Sequence, residues 1–235
     1  MSERSIAIIG DGKMGQAIRQ LAVEKGWKVA ALIGERESAG GSGINAKTLG
    51  NADVAVEFTQ PDAAVANITA SLRAGVPIVA GTTGWYDTLP DVTRLAKETG
   101  TGFLWSPNFS LGISVLIELA RYAGTLMRTL EGFDAHIVET HHSLKKDAPS
   151  GTAIAIGKAA TDTLDRPIPT TSIRIGSVPG THELIFDGSF EQLSLNHVAR
   201  DRRVFAEGAL QAAGWLIGKK GVFTMRDVLN LPARK

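Results

Sequence analysis

The residues of this sequence best suited to proton chemistry lie close together. Two imidazoles, two ammonium groups and a carboxylate fall within residues 141–147, directly after a predicted strand. Histidine has an ordinary pKa near neutrality, so an imidazole can deliver a proton at physiological pH. The cluster therefore predicts general acid chemistry. Its members are His141, His142, Lys145, Lys146 and Asp147.

A predicted anion-binding site follows this cluster. Pro149 disfavours helix for the residue before it, so a helix is expected to begin near Ser150, which is a good N-cap residue. The first N–H groups of that helix, from Gly151, Thr152 and Ala153, are expected to point at one spot where the helix dipole favours an anion. Gly151 has no side chain, so a ligand can approach its backbone closely. The two features together predict acid catalysis on an anionic substrate.

Two other interpretations of the cluster stay open on these residues alone. The adjacent histidines and lysines could form a solvated surface turn, and residues 149–152 could be only a helix start. His141 and His142 could also bind a metal, but neighbouring residues on a strand point to opposite faces and chelate one ion poorly. Because the sequence has no cysteine and no second dense histidine cluster, we predict no metal site.

The N-terminal residues predict a dinucleotide-binding unit. The apolar run Ser5–Ile9 is typical of a buried parallel strand, and residues 10–15 match G-x-G-x-x-G before a helical pattern. Residues 27–33 predict a second strand, after which Glu35 could bind a ribose diol and Arg36 a 2′-phosphate, so we expect NADH and NADPH each to be used. The alternative is a glycine-rich turn in an unrelated α/β protein, and residues 34–43 are expected to be loose. The predicted loop contacts are Gly10, Asp11, Gly12, Lys13, Met14 and Gly15.

Strands and helices continue to alternate along the first half of the chain. Further strands are predicted at residues 52–59, 76–80 and 102–105, and helices at residues 62–73 and 87–99. This alternation predicts a Rossmann-like doubly wound parallel sheet, in which ligands bind beyond the carboxyl ends of the strands. We therefore expect the residues that follow these strands to line one crevice with the glycine loop. They are Phe58, Gly81, Thr82, Thr83, Ser106, Pro107, Asn108 and Phe109.

The second half has a different pattern. A long helix is predicted at residues 113–130, and a strand at residues 133–140 delivers His141. After the helix that starts near Ser150, strand-like runs follow one another without helices, which predicts a mixed or antiparallel sheet in a smaller α+β domain. A helix is predicted at residues 203–216, followed by a compact tail at 223–229. The strand-like runs are 171–175, 182–187 and 191–198.

The composition is that of a soluble globular protein, with 43% hydrophobic and 21% charged residues among 235. The net charge of +1 argues against a nucleic-acid partner, and no apolar run approaches a membrane span. The N-terminal residues lead into a strand without the apolar segment of a signal peptide. The absence of cysteine excludes disulfides and thiol catalysis, so a cytoplasmic location is expected.

The stretch from Glu139 to Thr152, with its His-His pair and its Asp-Ala-Pro-Ser-Gly-Thr run, closely resembles the signature of the 4-hydroxy-tetrahydrodipicolinate reductase (dihydrodipicolinate reductase) family. The chain also has the Phe-Thr-x-Pro, Gly-Thr-Thr-Gly and Asn-Phe-Ser segments found in that family. The resemblance implies NAD(P)H-dependent reduction of a small cyclic dicarboxylate, 4-hydroxy-tetrahydrodipicolinate, in lysine and diaminopimelate synthesis. It also implies a homotetramer built through the second-domain sheets.

The resemblance further implies roles for individual residues. His141 would donate the proton, Lys145 would be the acidic group that supports it, and His142 would contact the substrate. Gly151 and Thr152 would hold a carboxylate, and Arg202 aligns best with an active-site arginine of the family, although Arg200 and Arg203 are also candidates. His182 and His197 receive no role.

The resemblance also implies a domain division. A discontinuous nucleotide-binding domain would comprise residues 1–108 and 204–235, and a substrate-binding and oligomerisation domain residues 109–203. The loop after the second strand and residues 178–181 depart from the commoner family pattern, and the first departure leaves the cofactor preference open. Two rival functions are another two-domain NAD(P)-dependent oxidoreductase, such as an amino-acid dehydrogenase, and a non-enzymatic dinucleotide sensor that needs no proton donor.

Overall fold

The computed structural model describes residues 4–231, so residues 1–3, predicted to lead into the first strand, and the last four residues of the predicted nucleotide domain lie outside them. The chain divides into two compact units. The first contains the residues up to Phe109 and those from Phe205 onward, and the second is Ser110–Val204. Within the described residues, no helix has the length and apolar character needed to cross a bilayer.

The regular elements alternate between strand and helix along most of the chain. The strands are β1 Ser5–Ile9, β2 Lys28–Ile33, β3 Val54–Glu57, β4 Ile78–Ala80, β5 Gly102–Trp105, β6 Asp134–His141, β7 Thr170–Arg174, β8 Thr181–Asp187, β9 Gln192–Val198 and β10 Gly221–Phe223. The α-helices are α1 Lys13–Glu24, α2 Glu35–Ser38, α3 Pro61–Arg73, α4 Leu89–Thr99, α5 Leu111–Met127, α6 Gly151–Leu164, α7 Arg203–Leu216 and α8 Met225–Val228.

The first unit is built on a parallel sheet with the strand order β10-β5-β4-β3-β1-β2. Its central strands are short and apolar because helices cover both faces of a doubly wound sheet. Ile6, Ile8 and Ile9 of β1 are all fully buried, as are Val54 and Val56 of β3. The predicted Rossmann-like sheet is therefore confirmed, and it brings the carboxyl ends of β1, β3 and β4 to one edge.

Two segments of this unit differ from the sequence expectations. Residues 34–43 are not loose, because α2 is followed by a 3₁₀ turn, Ala39–Gly41, in which Gly40 and Gly41 have φ of 63° and 86°. Such left-handed angles suit glycine, so the glycines shape a compact turn here. The predicted tail begins with an additional strand, β10, which pairs with β5, and ends in α8.

The second unit is a mixed sheet with two helices packed on one face. Its strand order is β7-β6-β8-β9, in which β6 pairs in parallel with β7 and antiparallel with β8, and β8 pairs antiparallel with β9. Ile137, Leu184 and Phe186 are fully buried against α5 and α6. Because alternate residues share a face of a strand, Glu139 and His141 lie on the same side as Ile137. His141 is the last residue of β6 and does not lie beyond it.

Both helices of this unit begin with a serine cap that contacts a histidine of the sheet. Ser110 Oγ accepts from Ile113 N at 3.3 Å and lies 3.2 Å from Nε2 of His197. Ser150 Oγ accepts from Ala153 N at 3.2 Å and lies 3.1 Å from Nε2 of His182. The predicted helix start at Ser150 is therefore confirmed, and β8 and β9 each supply a side chain that holds one cap.

Candidate functional site

A crevice of about 930 Å³ lies in the first unit, lined by residues that follow β1, β2, β3 and β4. Ten of the predicted cofactor residues line it, and Ser38, Gly40 and Thr59 line it as well. Gly15, Arg36 and residues 106–109 are not among its lining residues. The predicted residues that do line it are Gly10, Asp11, Gly12, Lys13, Met14, Glu35, Phe58, Gly81, Thr82 and Thr83.

The glycines of the loop at residues 10–15 have different structural roles. A Cβ on Gly15 would lie 1.8 Å from the carbonyl oxygen of Gly10, and a Cβ on Gly10 would lie 2.1 Å from that of Phe58. Both glycines are therefore required by packing within the protein. A Cβ on Gly12 would meet nothing within 4 Å, so its bare backbone faces open space in the crevice. The size of the crevice and this exposed backbone fit a dinucleotide whose pyrophosphate lies at the start of α1.

A buried carboxyl group lies beside the crevice. Glu57 at the end of β3 is fully buried, and its Oε1 accepts hydrogen bonds from the hydroxyl of Thr59 and, at 2.9 Å, from that of Thr82. The Thr82 hydroxyl in turn accepts from Thr59 N at 2.7 Å. Burial raises the pKa of Glu57 despite these hydrogen bonds. Glu57 thus fixes two hydroxyl groups that line the crevice.

The second unit contains the proton-carrying cluster, and His141 is anchored there by Glu139. Nδ1 of His141 donates to Oε2 of Glu139, while Oε1 of Glu139 accepts from Arg174 Nη2 at 2.6 Å and from Ser150 N at 3.3 Å. His182 lies edge-on to His141, with ring centroids 5.1 Å apart. Glu139 and His141 are both buried, so the cluster is not the solvated surface turn that the sequence left open.

The charges of this cluster set the protonation of its members. Burial raises the pKa of Glu139, but hydrogen bonds from Arg174, Ser172 and His141 outweigh it and lower the pKa to about 2. Burial lowers the pKa of His141 although Glu139 opposes that shift. Burial also lowers the pKa of His182, to about 4. Glu139 is therefore a carboxylate and His182 a neutral imidazole at neutral pH.

Lys145 lies in the loop after β6, held by an ion pair. Its Nζ lies 2.8 Å from Oδ1 of Asp147, and the backbone carbonyl of Asp147 accepts from Arg174 Nη2 at 2.6 Å. The charge of Lys145 also lowers the pKa of His141, so the two groups interact electrostatically. Lys145 is half-buried and Asp147 is exposed.

His142 and Arg202 form a separate pair in the same unit. Arg202 Nη2 lies 3.1 Å from Nε2 of His142, in a geometry that makes the arginine the donor and the imidazole the acceptor. Arg203 instead pairs with Asp201, with Nε 3.1 Å from Oδ2. The structure thus brings together two of the predicted substrate residues, and of the three arginines it is Arg202 that contacts His142.

The start of α6 differs in one respect from the predicted anion site. Ala153 N donates to Ser150 Oγ, so this N–H is already used and the expectation of three converging groups is wrong. The serine cap competes for the same donor because an N-cap hydroxyl normally takes the third N–H of the helix. Gly151 is exposed, and a Cβ placed there would meet nothing within 4 Å. The backbone at Gly151 is therefore open to a ligand.

Glu139, His141 and His182 place one ligand atom each within 4.8 Å of one another, a spacing that a metal ion could bridge. The charges around them disfavour a cation. Arg174 already occupies one oxygen of Glu139, and His141 the other. A metal would have to displace a guanidinium from a buried carboxylate, so this donor set fits an ion poorly.

Comparison with known proteins decides the family. Residues 4–109 match the family model described as "Dihydrodipicolinate reductase, N-terminus", and residues 112–229 match "Dihydrodipicolinate reductase, C-terminus". This chain belongs to the dihydrodipicolinate reductase family. The two matches together cover nearly all of the sequence, so the resemblance inferred from residues 139–152 is confirmed.

Individual relatives agree with this membership. A 4-hydroxy-tetrahydrodipicolinate reductase of Christiangramia forsetii is 35% identical over 96% of this chain and 98% of its own length. One of Xanthomonas euvesicatoria is 39% identical over 93% of this chain and 94% of its own length. The fold is that of a dipicolinate-bound dihydrodipicolinate reductase from Paenisporosarcina sp. TG-14, with a TM-score of 0.78 and 21% identity over 96% of this chain and 99% of that one. Members of this family are NAD(P)H-dependent oxidoreductases.

Three residues of the second unit received no role from the sequence. Glu139 could have been found, because a residue two positions before His141 on a strand shares its face. Arg174 and His182 carry no local signal. They reach the cluster because β7 and β8 pair with β6, which sets Arg174 opposite His141 and His182 opposite Glu139.

Proposed function

We propose that this chain catalyses the NAD(P)H-dependent reduction of 4-hydroxy-tetrahydrodipicolinate to tetrahydrodipicolinate, a step of lysine and diaminopimelate synthesis. The observation that carries the proposal is the buried His141, held by an ionised carboxylate beside Lys145 and the open start of α6. Another two-domain oxidoreductase, such as an amino-acid dehydrogenase, would account for the nucleotide crevice but not for this His-His-x-x-x-Lys cluster beside the start of α6, and a dinucleotide sensor needs no proton donor.

The cofactor is proposed to bind in the crevice of the first unit, and when bound it supplies a hydride to the substrate ring. Gly12 would allow the pyrophosphate to approach the backbone at the start of α1, because no side chain intervenes there. Glu35 would accept hydrogen bonds from the adenosine ribose. Thr82, whose hydroxyl is fixed by Glu57, would face the bound dinucleotide with its orientation already set.

The substrate is proposed to bind to the second unit through its carboxylates. One carboxylate would lie at the start of α6, against the backbone of Gly151 and Thr152, where the helix dipole favours negative charge. His142 and Arg202, which contact each other at 3.1 Å, would bind polar groups at another side of the ring. Arginine suits this task because its planar guanidinium matches a carboxylate in two-point geometry.

His141 is proposed to donate the proton. The 4-hydroxyl group of the substrate leaves as water, with a proton from the neighbouring ring carbon, which gives a conjugated imine. Hydride addition to this imine leaves an electron-rich enamine, which must be protonated on carbon. Because Nδ1 of His141 is bound to Glu139, the proton would leave from Nε2. Lys145 would stabilise developing negative charge on the substrate and would help to hold the dicarboxylate.

Domain roles, assembly and location complete the proposal. The nucleotide-binding domain comprises residues 1–108 with 204–235, and the substrate and oligomerisation domain comprises residues 109–203. A homotetramer through the second-unit sheet is supported by the face that points away from α5 and α6, because apolar side chains lie partly exposed there. These side chains are Val138, Ile173, Ile185 and Val198.

The absence of cysteine suits a reducing, cytoplasmic setting.

The proposal is tested by turnover and cofactor binding measured together. NAD(P)H oxidation with enzymatically generated substrate gives kcat, and fluorescence titration gives NADPH affinity. We expect His141→Gln and Lys145→Ala each to lower kcat by ~10²–10⁴, the usual effect of losing a general acid, with cofactor affinity nearly unchanged. The double variant should lose less than the product of the two single losses, because the groups act as a unit.

Lys158→Ala is the matched control, because Lys158 is an exposed lysine of α6 that pairs only with Asp162 at 3.3 Å among the contacts described. It should leave both kcat and NADPH affinity unchanged. Near-normal turnover in His141→Gln would refute the proposed role. A wild-type protein that binds NADPH but does not oxidise it with this substrate would favour a sensor, and oxidation of L-amino acids would favour the dehydrogenase alternative.

A further inference from the structure

A single carboxylate connects three separate elements of the second unit. Glu139 has no exposed surface, yet it is ionised and accepts hydrogen bonds from His141 on β6, Arg174 on β7 and Ser150 at the start of α6. A buried charge is costly unless it is paired and hydrogen-bonded. These partners therefore act together, since the loss of any one leaves the others with a poorly compensated charge.

Arg174 extends the connection to the loop that carries Lys145. The same Nη2 atom that contacts Glu139 at 2.6 Å also donates at 2.6 Å to the carbonyl oxygen of Asp147. The carboxylate of Asp147 pairs with Lys145 Nζ at 2.8 Å. A continuous set of contacts thus runs from His141 through Glu139, Arg174 and Asp147 to Lys145.

We propose that Glu139 and Arg174 are positioning residues that hold His141 and Lys145 as one proton-donating unit. The inference rests on the proposed function of His141. Glu139 fixes the ring by its Nδ1 atom, which leaves Nε2 as the proton-carrying atom available to a substrate. Nε2 lies close to Gly180, where a Cβ would come within 3.1 Å, so the glycine keeps this atom uncovered.

The charged and titratable groups that face His141 come from each element packed against it. Glu139 on its own strand favours the imidazolium, whereas Arg174 on β7 and Lys145 in the loop disfavour it. His182 on β8 lies edge-on to the ring and is neutral near pH 7. Glu139 and Arg174 therefore have opposite electrostatic effects on the proton donor, although both position it.

These opposite effects distinguish the proposed roles from a merely structural one, which would not move the pH dependence of kcat in opposite directions in the two variants. A general acid works only when it is protonated, so kcat falls as the pH rises through the pKa of His141. Glu139→Gln removes the anion and should move this fall to lower pH. Arg174→Met removes a cation and should move it to higher pH. Each variant should also lower the maximal kcat by ~10- to 100-fold, by analogy with the loss seen when the hydrogen-bond partner of a metal-ligating histidine is removed, with the KM for NADPH unchanged.

Matched controls on the same unit are Glu131→Gln and Arg128→Met. Glu131 and Arg128 are both exposed and lie between α5 and β6. Both should keep the wild-type pH profile. Should Glu139→Gln or Arg174→Met fail to fold, as judged by circular dichroism, the charge-conserving Glu139→Asp and Arg174→Lys replace them. These should lower kcat without moving the pH profile.

The outcomes separate this proposal from the function on which it rests. Wild-type protein that fails to reduce the substrate refutes the proposed function. If the wild type is active, then pH profiles that stay in place, or that move in the same direction in Glu139→Gln and Arg174→Met, overturn the positioning roles. Full activity in Glu139→Asp and Arg174→Lys would overturn them as well.

Discussion

Two glycines of the nucleotide loop should respond differently to substitution by alanine. Gly15→Ala should lower the stability of the protein, whereas Gly12→Ala should lower its affinity for NADPH. A Cβ on Gly15 would lie 1.8 Å from the Gly10 carbonyl oxygen, so the backbone must move by at least 1.2 Å to reach even 3.0 Å (3.0 − 1.8). Gly10 cannot yield easily because its N–H is bonded to Ile33 O at 2.8 Å. Overpacking of this kind costs about 1–3 kcal/mol. At about 2–4 °C per kcal/mol for a chain of this size, Gly15→Ala should lower the Tm by ~2–12 °C.

Gly12→Ala is the matched substitution, because its Cβ would meet nothing within 4 Å and Gly12 already has a φ of −70° that alanine adopts readily. Its free energy of unfolding without cofactor should change by no more than the ~0.5 kcal/mol typical of surface sites, so its Tm should shift by no more than ~2 °C. Its NADPH Kd should rise at least tenfold, or ~1.4 kcal/mol, because the methyl group blocks pyrophosphate approach. Differential scanning fluorimetry and fluorescence titration measure the two quantities. Equal loss of stability in both variants, or unchanged NADPH affinity in Gly12→Ala, would refute this division of roles.

Three further predictions follow from the two sites. Glu35 lines the crevice and can bind a ribose diol, and Arg36 is next to it in α2, although it does not itself line the crevice, and carries a cation suited to a 2′-phosphate. Both NADH and NADPH should therefore support turnover, and a preference above roughly a thousandfold, about 4 kcal/mol, would contradict this. Pyridine-2,6-dicarboxylate should compete with substrate, and Gly151→Val, which meets no protein atom at its Cβ, should weaken that inhibition; undiminished inhibition would argue against the carboxylate site at α6. Burial raises the pKa of Glu57 above its usual 4.5, so its contribution to stability is complete below that value and is lost as the pH rises through the raised pKa. The Tm of Glu57→Gln relative to wild type should therefore increase from pH 4 to pH 8, and a difference that is constant or decreases would contradict the assignment.

The order of most strands and helices could be predicted because the residues of each of these elements indicate its structure by themselves. The apolar run of β1 and the Pro149-Ser150 boundary of α6 indicate their structure without reference to the rest of the chain. β10 could not be predicted in this way. It has only three residues, and it is a strand because Val222 pairs with Phe103 of β5. Short strands acquire their conformation from a partner, and the sequence around them does not identify it.

The candidate site shows the same limit. His141 and Lys145 are only four positions apart in the sequence, so their chemistry could be inferred from spacing. Arg174 lies 35 residues from Glu139, and only the register of β6 with β7 places the two in contact. The use of Ala153 N by Ser150 Oγ has a different cause. An N-cap hydroxyl and a bound anion compete for the same few N–H donors at a helix start, and in the structure the cap takes one of them.

The two serine caps have a consequence for how the second unit reaches its native pairing. His182 and His197 are directly opposite each other on β8 and β9, and each contacts the serine that starts a different helix. A slip of one residue between strands turns every side chain to the other face of the sheet. Such a slip of β9 would withdraw His197 from Ser110 while leaving His182 at Ser150, so a misaligned hairpin would keep only one of the two histidine–serine contacts. The two helix starts thus favour the native alignment of β8 with β9 through contacts made outside the sheet.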